Sequence, residues 1–118
     1  MAQKNEDAQV LEETNEVRLV GRLLAVSEEK TLPSGDTLQI FRVTVRRAEP
    51  LRGRQSVDSL ECVAWGSRVK RSVARWQPGD VVEVTGTLRR RFFKTPSGAA
   101  SRTEVEVAWG RRVRRAPL

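Results

Sequence analysis

Two aromatic rings stand inside a run of cations in TLRRRFFKTPSG (87–98): Phe92 and Phe93 follow Arg89, Arg90 and Arg91 and precede Lys94. A flat ring offers a face on which a nucleobase can stack, and the cations beside it can pair with phosphates. Neighbouring side chains on a strand point to opposite faces, so only one of the two rings can enter a given core. Alternation from Val82, Val84 and Leu88 assigns Phe92 to the core, and Phe93 with Arg89 and Arg91 to the outer face. A second ring of this kind is Trp65, which closes the run VDSLECVAW opposite the apolar row Leu60, Cys62 and Ala64. Arg42 and Arg46 alternate outward beside Thr44, and with Arg89, Arg91 and Lys94 they can line a channel that follows phosphates. The candidate nucleic-acid-binding residues are therefore Trp65, Phe93, Arg89, Arg91, Lys94, Arg42 and Arg46. Plainer roles stand beside these: Phe93 as an exposed hairpin ring or subunit contact, Trp65 as a core residue at the rim of a helix. Trp76 reads as core, and Trp109, which continues the row of Val105 and Val107, as core or subunit interface.

Other chemistry finds little support. The 118 residues include no histidine and one cysteine, Cys62, which removes histidine acid–base catalysis, zinc clusters and internal disulfides. Cys62 sits in an apolar run and reads as a small buried hydrophobe. No Ser/His/Asp set and no phosphate-cradling glycine loop is present, so the chain reads as a non-enzyme without cofactor. No apolar run reaches the length of a membrane span, and the acidic N-terminus is unlike a signal peptide, so a cytoplasmic, nucleoid-associated protein is expected. The charge points to the partner. Lys and Arg total 22 against 15 Asp and Glu, and residues 1–16 hold five of the acids and one of the bases. The rest of the chain carries a surplus of 11 positive charges, which favours a polyanion.

The elements that must position these residues are short. Residues 1–14 are polar and acidic and read as a disordered arm, 15–110 as the folded domain, and 111–118 as a basic tail. Half-buried strands are expected over 16–29, with a bend at Gly21, then over 37–47, 57–65, 81–93 and 103–109. Between the third and fourth, Val69, Val73 and Trp76 fall at helical spacing, with Ser67 as N-cap and Pro78-Gly79 as the stop. Three strands, a helix and two strands match an all-β fold: a five-stranded OB-fold Greek-key barrel with one short helix between strands 3 and 4.

Four stretches in order, NEVRLVGRL (15–23), FRVTV (41–45), CVAWGSRVKRSV (62–73) and PGDVVEVTGTLRRRFF (78–93), resemble the bacterial single-stranded DNA-binding protein family. The resemblance spans residues 15 to 110. It implies stacking of bases on aromatics inside a basic channel, with Trp65 and Phe93 at family aromatic positions and Arg89 and Arg91 at basic ones. It also implies a homo-oligomer, a tetramer or dimer, acting in DNA replication, repair or recombination, with proteins of those processes as further partners. The family's early strand-three tryptophan falls on Ser59, and 47–50 lack a further family aromatic. Glu61 lies on the presumed binding face. Fewer platforms and more charge-dependent binding are therefore expected, as is a short paralogue without the family's acidic C-terminal tail, or a shortened piece of one. Two other readings stay open: an OB-fold protein-interaction module resembling primosomal accessory proteins, and single-stranded RNA binding by the same surface.

Overall fold

The alternating apolar runs become six strands and one helix in the computed structural model, which describes residues 12–48 and 56–117. They are β1 (Val17–Leu23), β2 (Glu28–Thr31), β3 (Thr37–Arg46), β4 (Val57–Ala64), α1 (Ser67–Ala74), β5 (Val81–Thr95) and β6 (Gly98–Arg114). Strands β1, β5, β6, β4 and β3 pair in that order, and β3 pairs back to β1 to close a five-stranded barrel. Every pairing is antiparallel except β4 with β6. The helix lies between the third and fourth barrel strands, as the element order requires. The stretch expected as one strand over 16–29 divides in two, because β2 forms a separate hairpin with β3.

Closure depends on one glycine. Just past Gly21 strand β1, still paired to β5 through Arg22 and Val81, meets β3, where Arg22 pairs with Thr44 and Leu23 with Val43. A Cβ on Gly21 would run into the carbonyl oxygen of Thr44, so no larger residue permits this approach. Inside the ring, Leu23, Phe41, Val43, Cys62, Ala64, Val82, Val84, Val105 and Val107 form the core. Each such aliphatic or aromatic side chain contributes about 1.5–3 kcal/mol by leaving water. Helix α1 covers one end with Val69 and Val73, and Trp76 follows it edge-on to Phe41 at 5.7 Å. Gly66 rather than Ser67 is the N-cap, and its helix end has no side-chain cap. Burial, with Glu61 beside it, pushes the Cys62 thiol up to about 12, so this cysteine is packing rather than nucleophile.

One ring departs from expectation, and a second is left with one of its two readings. Phe92 is 72% exposed and Leu88 is exposed too. Strand β4 meets β6 only where Cys62–Ala64 face Val105–Val107, so the β5–β6 hairpin projects beyond the barrel wall. Past Val105 the core side of the hairpin has no core to enter. Trp109 is 46% exposed. Thr85 pairs with Trp109 and Gly86 with Val107, leaving Ala108 as an extra residue that reverses the alternation. Gly110 turns inward instead, where a Cβ would meet the Trp76 ring at 2.8 Å.

The last strand also runs further than 103–109, so residues 111–114, read as tail, are strand. Asp80 holds this end: its buried carboxylate accepts the backbone N–H groups of Gln77 (2.8 Å) and Ala116 (2.7 Å), with Arg112 at 3.7 Å. Burial alone would raise its pKa, but these donors and the guanidinium bring it below the ordinary value. Most of the acidic arm, together with Arg52 and Arg54, lies outside the described residues.

Candidate nucleic-acid interface

The turn at 95–98 sets the register of the hairpin, with Thr95 opposite Gly98 and Thr95 Oγ1 donating to the Gly98 carbonyl at 2.7 Å. Pairing then runs without a shift back to Gly86, so residues of β5 alternate strictly between two faces. One face, here the front, carries Thr87, Arg89, Arg91 and Phe93 opposite Glu106, Glu104, Arg102 and Ala100. Arg89 pairs with Glu106 at 3.1 Å, and Arg91 with Glu104 at 3.4 Å. The guanidinium of Arg102 lies over the Phe93 ring, 5.6 Å from its centroid, and that ring is 40% exposed.

Neighbouring strands extend the front face. Trp65, half-buried where β4 ends, shares a cleft with Arg89, Arg90, Arg91, Glu104 and Glu106. Glu104 also borders a second crevice, between β4 and the root of the hairpin, lined by Arg42, Glu61, Leu88, Arg102 and Thr103 among others. Glu61 spans that gap, 3.5 Å from Arg42 and 3.6 Å from Arg102. Trp65, Arg89, Arg91, Phe93 and Arg42 thus share one surface. Arg46 stands apart at the far end of β3, in a depression with Val20, Arg22 and Val57. Lys94, expected to line the channel with these arginines, is not on the shared surface: it pairs with Ala99 on the reverse face, together with Arg90 and Phe92.

The front face is cationic but not unopposed. Arg42, Arg89, Arg91 and Arg102 each have a carboxylate partner, and Glu104 is only 5% exposed. An incoming phosphate must replace these carboxylates, so the net gain per contact is smaller than for a free guanidinium. The rings carry no such debt. Among the described residues no three His, Cys, Asp or Glu side chains are grouped to hold a metal ion, and no helix is long and apolar enough to cross a membrane.

Alternation alone leaves Glu104 and Glu106 as solvated strand residues opposite Val105 and Val107, and a last strand over 103–109 leaves Arg102 on a loop. The signal that locates them is the TPSG turn. Counting outward from it brings Glu104 opposite Arg89 and Arg102 opposite Arg91, provided the last strand starts at Gly98 rather than at Thr103.

The family model described as "Single-strand binding protein family" matches residues 14–113. Single-stranded DNA-binding protein 1 of Streptococcus agalactiae serotype III is 29% identical over 86 residues, which cover 71% of this chain and 52% of that protein. The single-stranded DNA-binding protein of Streptococcus pyogenes serotype M3 gives the same identity and coverage. The chain spans about half the length of the curated relatives it matches. Among solved structures, an SSB of Plasmodium falciparum in complex with ssDNA superposes with a TM-score of 0.67 at 21% identity, covering 83% of this chain and 91% of that one. At that identity the likeness speaks for the barrel fold.

Proposed function

The chain belongs to the single-strand binding protein family, and we propose from that premise that it binds single-stranded DNA without sequence preference, as a binding module rather than an enzyme. The observation that carries this reading is the cleft that sets the Trp65 ring beside Arg89 and Arg91. A base stacks on Trp65 and a further base on Phe93, while Arg42, Arg89, Arg91 and Arg102 exchange their carboxylate partners for phosphates. Stacking suits every base, because each has a flat face, and that accounts for the lack of sequence preference. Such a protein protects exposed strands in replication, repair or recombination, and belongs at the nucleoid. Assembly as a homo-oligomer has a surface to use: Trp109 and Val20 are exposed on the outer side of the β1–β5–β6 sheet.

One observation favours a second reading. The carboxylate beside every front-face arginine reduces the pull on phosphates, as suits a module that contacts other proteins and touches DNA by charge alone. Titration with oligo-dT separates the two. Stacking on Trp65 quenches tryptophan emission, and Trp65→Ala or Phe93→Ala then weakens binding by about 1–3 kcal/mol each. Unchanged affinity in both variants contradicts the stacking account. Competition between oligo-dT and oligo-rU of equal length decides between DNA and RNA.

A further inference from the structure

The reverse face of the β5–β6 hairpin carries Leu88, Arg90, Phe92 and Lys94 opposite Val105, Thr103, Ser101 and Ala99. None of these eight residues is acidic. Phe92 is the most exposed of the large apolar side chains described, and the Arg90 guanidinium lies 6.0 Å from its ring centroid. The salt bridges of the described residues involve neither Arg90 nor Lys94, whereas every arginine on the front of the hairpin has one. The reverse face therefore has what a single strand needs: an open ring flanked by two unopposed cations.

A path leads to it. The crevice between β4 and the hairpin root is lined by front-face residues (Arg42, Glu61, Arg102, Glu104) and by reverse-face residues (Leu88, Thr103, Val105). Glu104 borders both this crevice and the Trp65 cleft, so the two openings are neighbours. The Glu61–Arg102 pair, at 3.6 Å, bridges the gap. A chain of nucleotides leaving Trp65 has a route past Arg102 and around the root of the hairpin.

We propose that the reverse face is a second single-strand contact surface. Phe92 stacks a base, Arg90 and Lys94 hold the phosphates beside it, and one strand wraps the projecting hairpin from front to back. This rests on the single-strand-binding reading above and adds to it a site centred on Phe92, on the opposite face of the hairpin from Phe93, with Arg90 bordering the Trp65 cleft as well. The occupant is single-stranded nucleic acid rather than a second copy of this chain, because a patch with two cations and no acid repels its own twofold image.

The test uses the full chain with two lengths of oligo-dT, about 6 and about 16 nucleotides, near the two ends of the range one barrel occupies. Phe92→Ala and Phe92→Leu leave the affinity for the short oligomer unchanged and weaken the long one by roughly 5- to 150-fold, whereas Phe92→Trp restores it. Arg90→Gln weakens the long oligomer alone, and sedimentation gives the same mass for all variants. Equal affinity of Phe92→Ala and the unaltered protein for the long oligomer overturns the second surface. So does a fall in mass on substitution, which makes Phe92 a subunit contact. Failure of the unaltered protein to bind either oligomer overturns the underlying reading instead, so the two failures are distinguishable.

Discussion

The two faces of the β5–β6 hairpin have nearly the same side-chain inventory, rings and cations, and opposite electrostatic circumstances. On the front, Arg89 and Arg91 are tied to Glu106 and Glu104. On the reverse, Arg90 faces Thr103 and Lys94 faces Ala99. A cation count, or a surface coloured by arginine, would rank the front first. Pairing reverses that ranking for charge and leaves the front with its advantage in shape, since only there does a tryptophan join the arginines in a cleft. The front offers a ring-lined cleft whose cations are paired, the back an open ring whose cations are not.

The largest effect is expected from disturbing the bulge at the root of the hairpin, which sets which residues share a face. Gly86 sits at the bulge where the alternation of β6 reverses, and a Cβ there would strike the carbonyl oxygen of Glu106. Gly86→Ala is expected to lower stability by about 1–3 kcal/mol, read by denaturant melting, because two backbones must part. An unchanged midpoint contradicts the close approach on which the register rests.

Smaller changes trade the faces' charge states. Glu106→Gln releases Arg89 and should tighten oligo-dT binding by about 0.2–1 kcal/mol, the range of an exposed ion pair. Thr103→Glu places a carboxylate opposite Arg90 and should weaken binding by about the same amount. Glu16→Gln, an exposed carboxylate ahead of β1, removes the same formal charge as the first variant and should leave affinity alone. If all three variants shift affinity only in step with net charge, position on the hairpin is irrelevant and the comparison fails.

Acid tests the carboxylates that hold the barrel. Glu83 lies between Arg18 (2.6 Å) and Arg111 (2.8 Å), and these two guanidinium groups hold it below its ordinary value of 4.5. Asp80 is likewise below its ordinary 3.8, its backbone donors and Arg112 outweighing the burial that would raise it. A carboxylate with a depressed folded pKa contributes stability above its unfolded pKa and loses it as the pH falls through the folded one. The melting temperature should therefore hold from neutral pH down to the ordinary carboxylate range and fall below it. Asp80→Asn and Glu83→Gln should each blunt that fall, and a melting curve as steep in both variants as in the unaltered protein contradicts the assignment.

Much of this was legible in the sequence. Alternation found the barrel strands and the buried rows Cys62/Ala64 and Val105/Val107, and the period of Val69, Val73 and Trp76 found the helix. The misplacements have two physical sources. A strand pattern gives parity but not the length of the wall opposite, so Phe92 was sent to a core that ends near Val105. A bulge adds one residue without changing the local pattern, so alternation leaves Trp109 as core or interface, and Ala108 turns it outward. Counter-ions were the hardest to see. Glu104 and Glu106 look like surface residues until the turn at 95–98 fixes what they face.

The claim that the two faces hold one strand by different means is tested most directly by the salt dependence of oligo-dT binding for the unaltered protein, Arg89→Gln and Arg90→Gln. Each phosphate neutralised on a single strand contributes a slope of about 0.7 in log K against log salt. Arg90 has no carboxylate partner, so its loss should flatten the slope by about that amount. Arg89 returns a bare Glu106 carboxylate when it takes a phosphate, and the cation gathered there cancels the one released from the DNA. Its loss should leave the slope nearly unchanged. Equal flattening by both substitutions, or none by Arg90→Gln, would contradict the account.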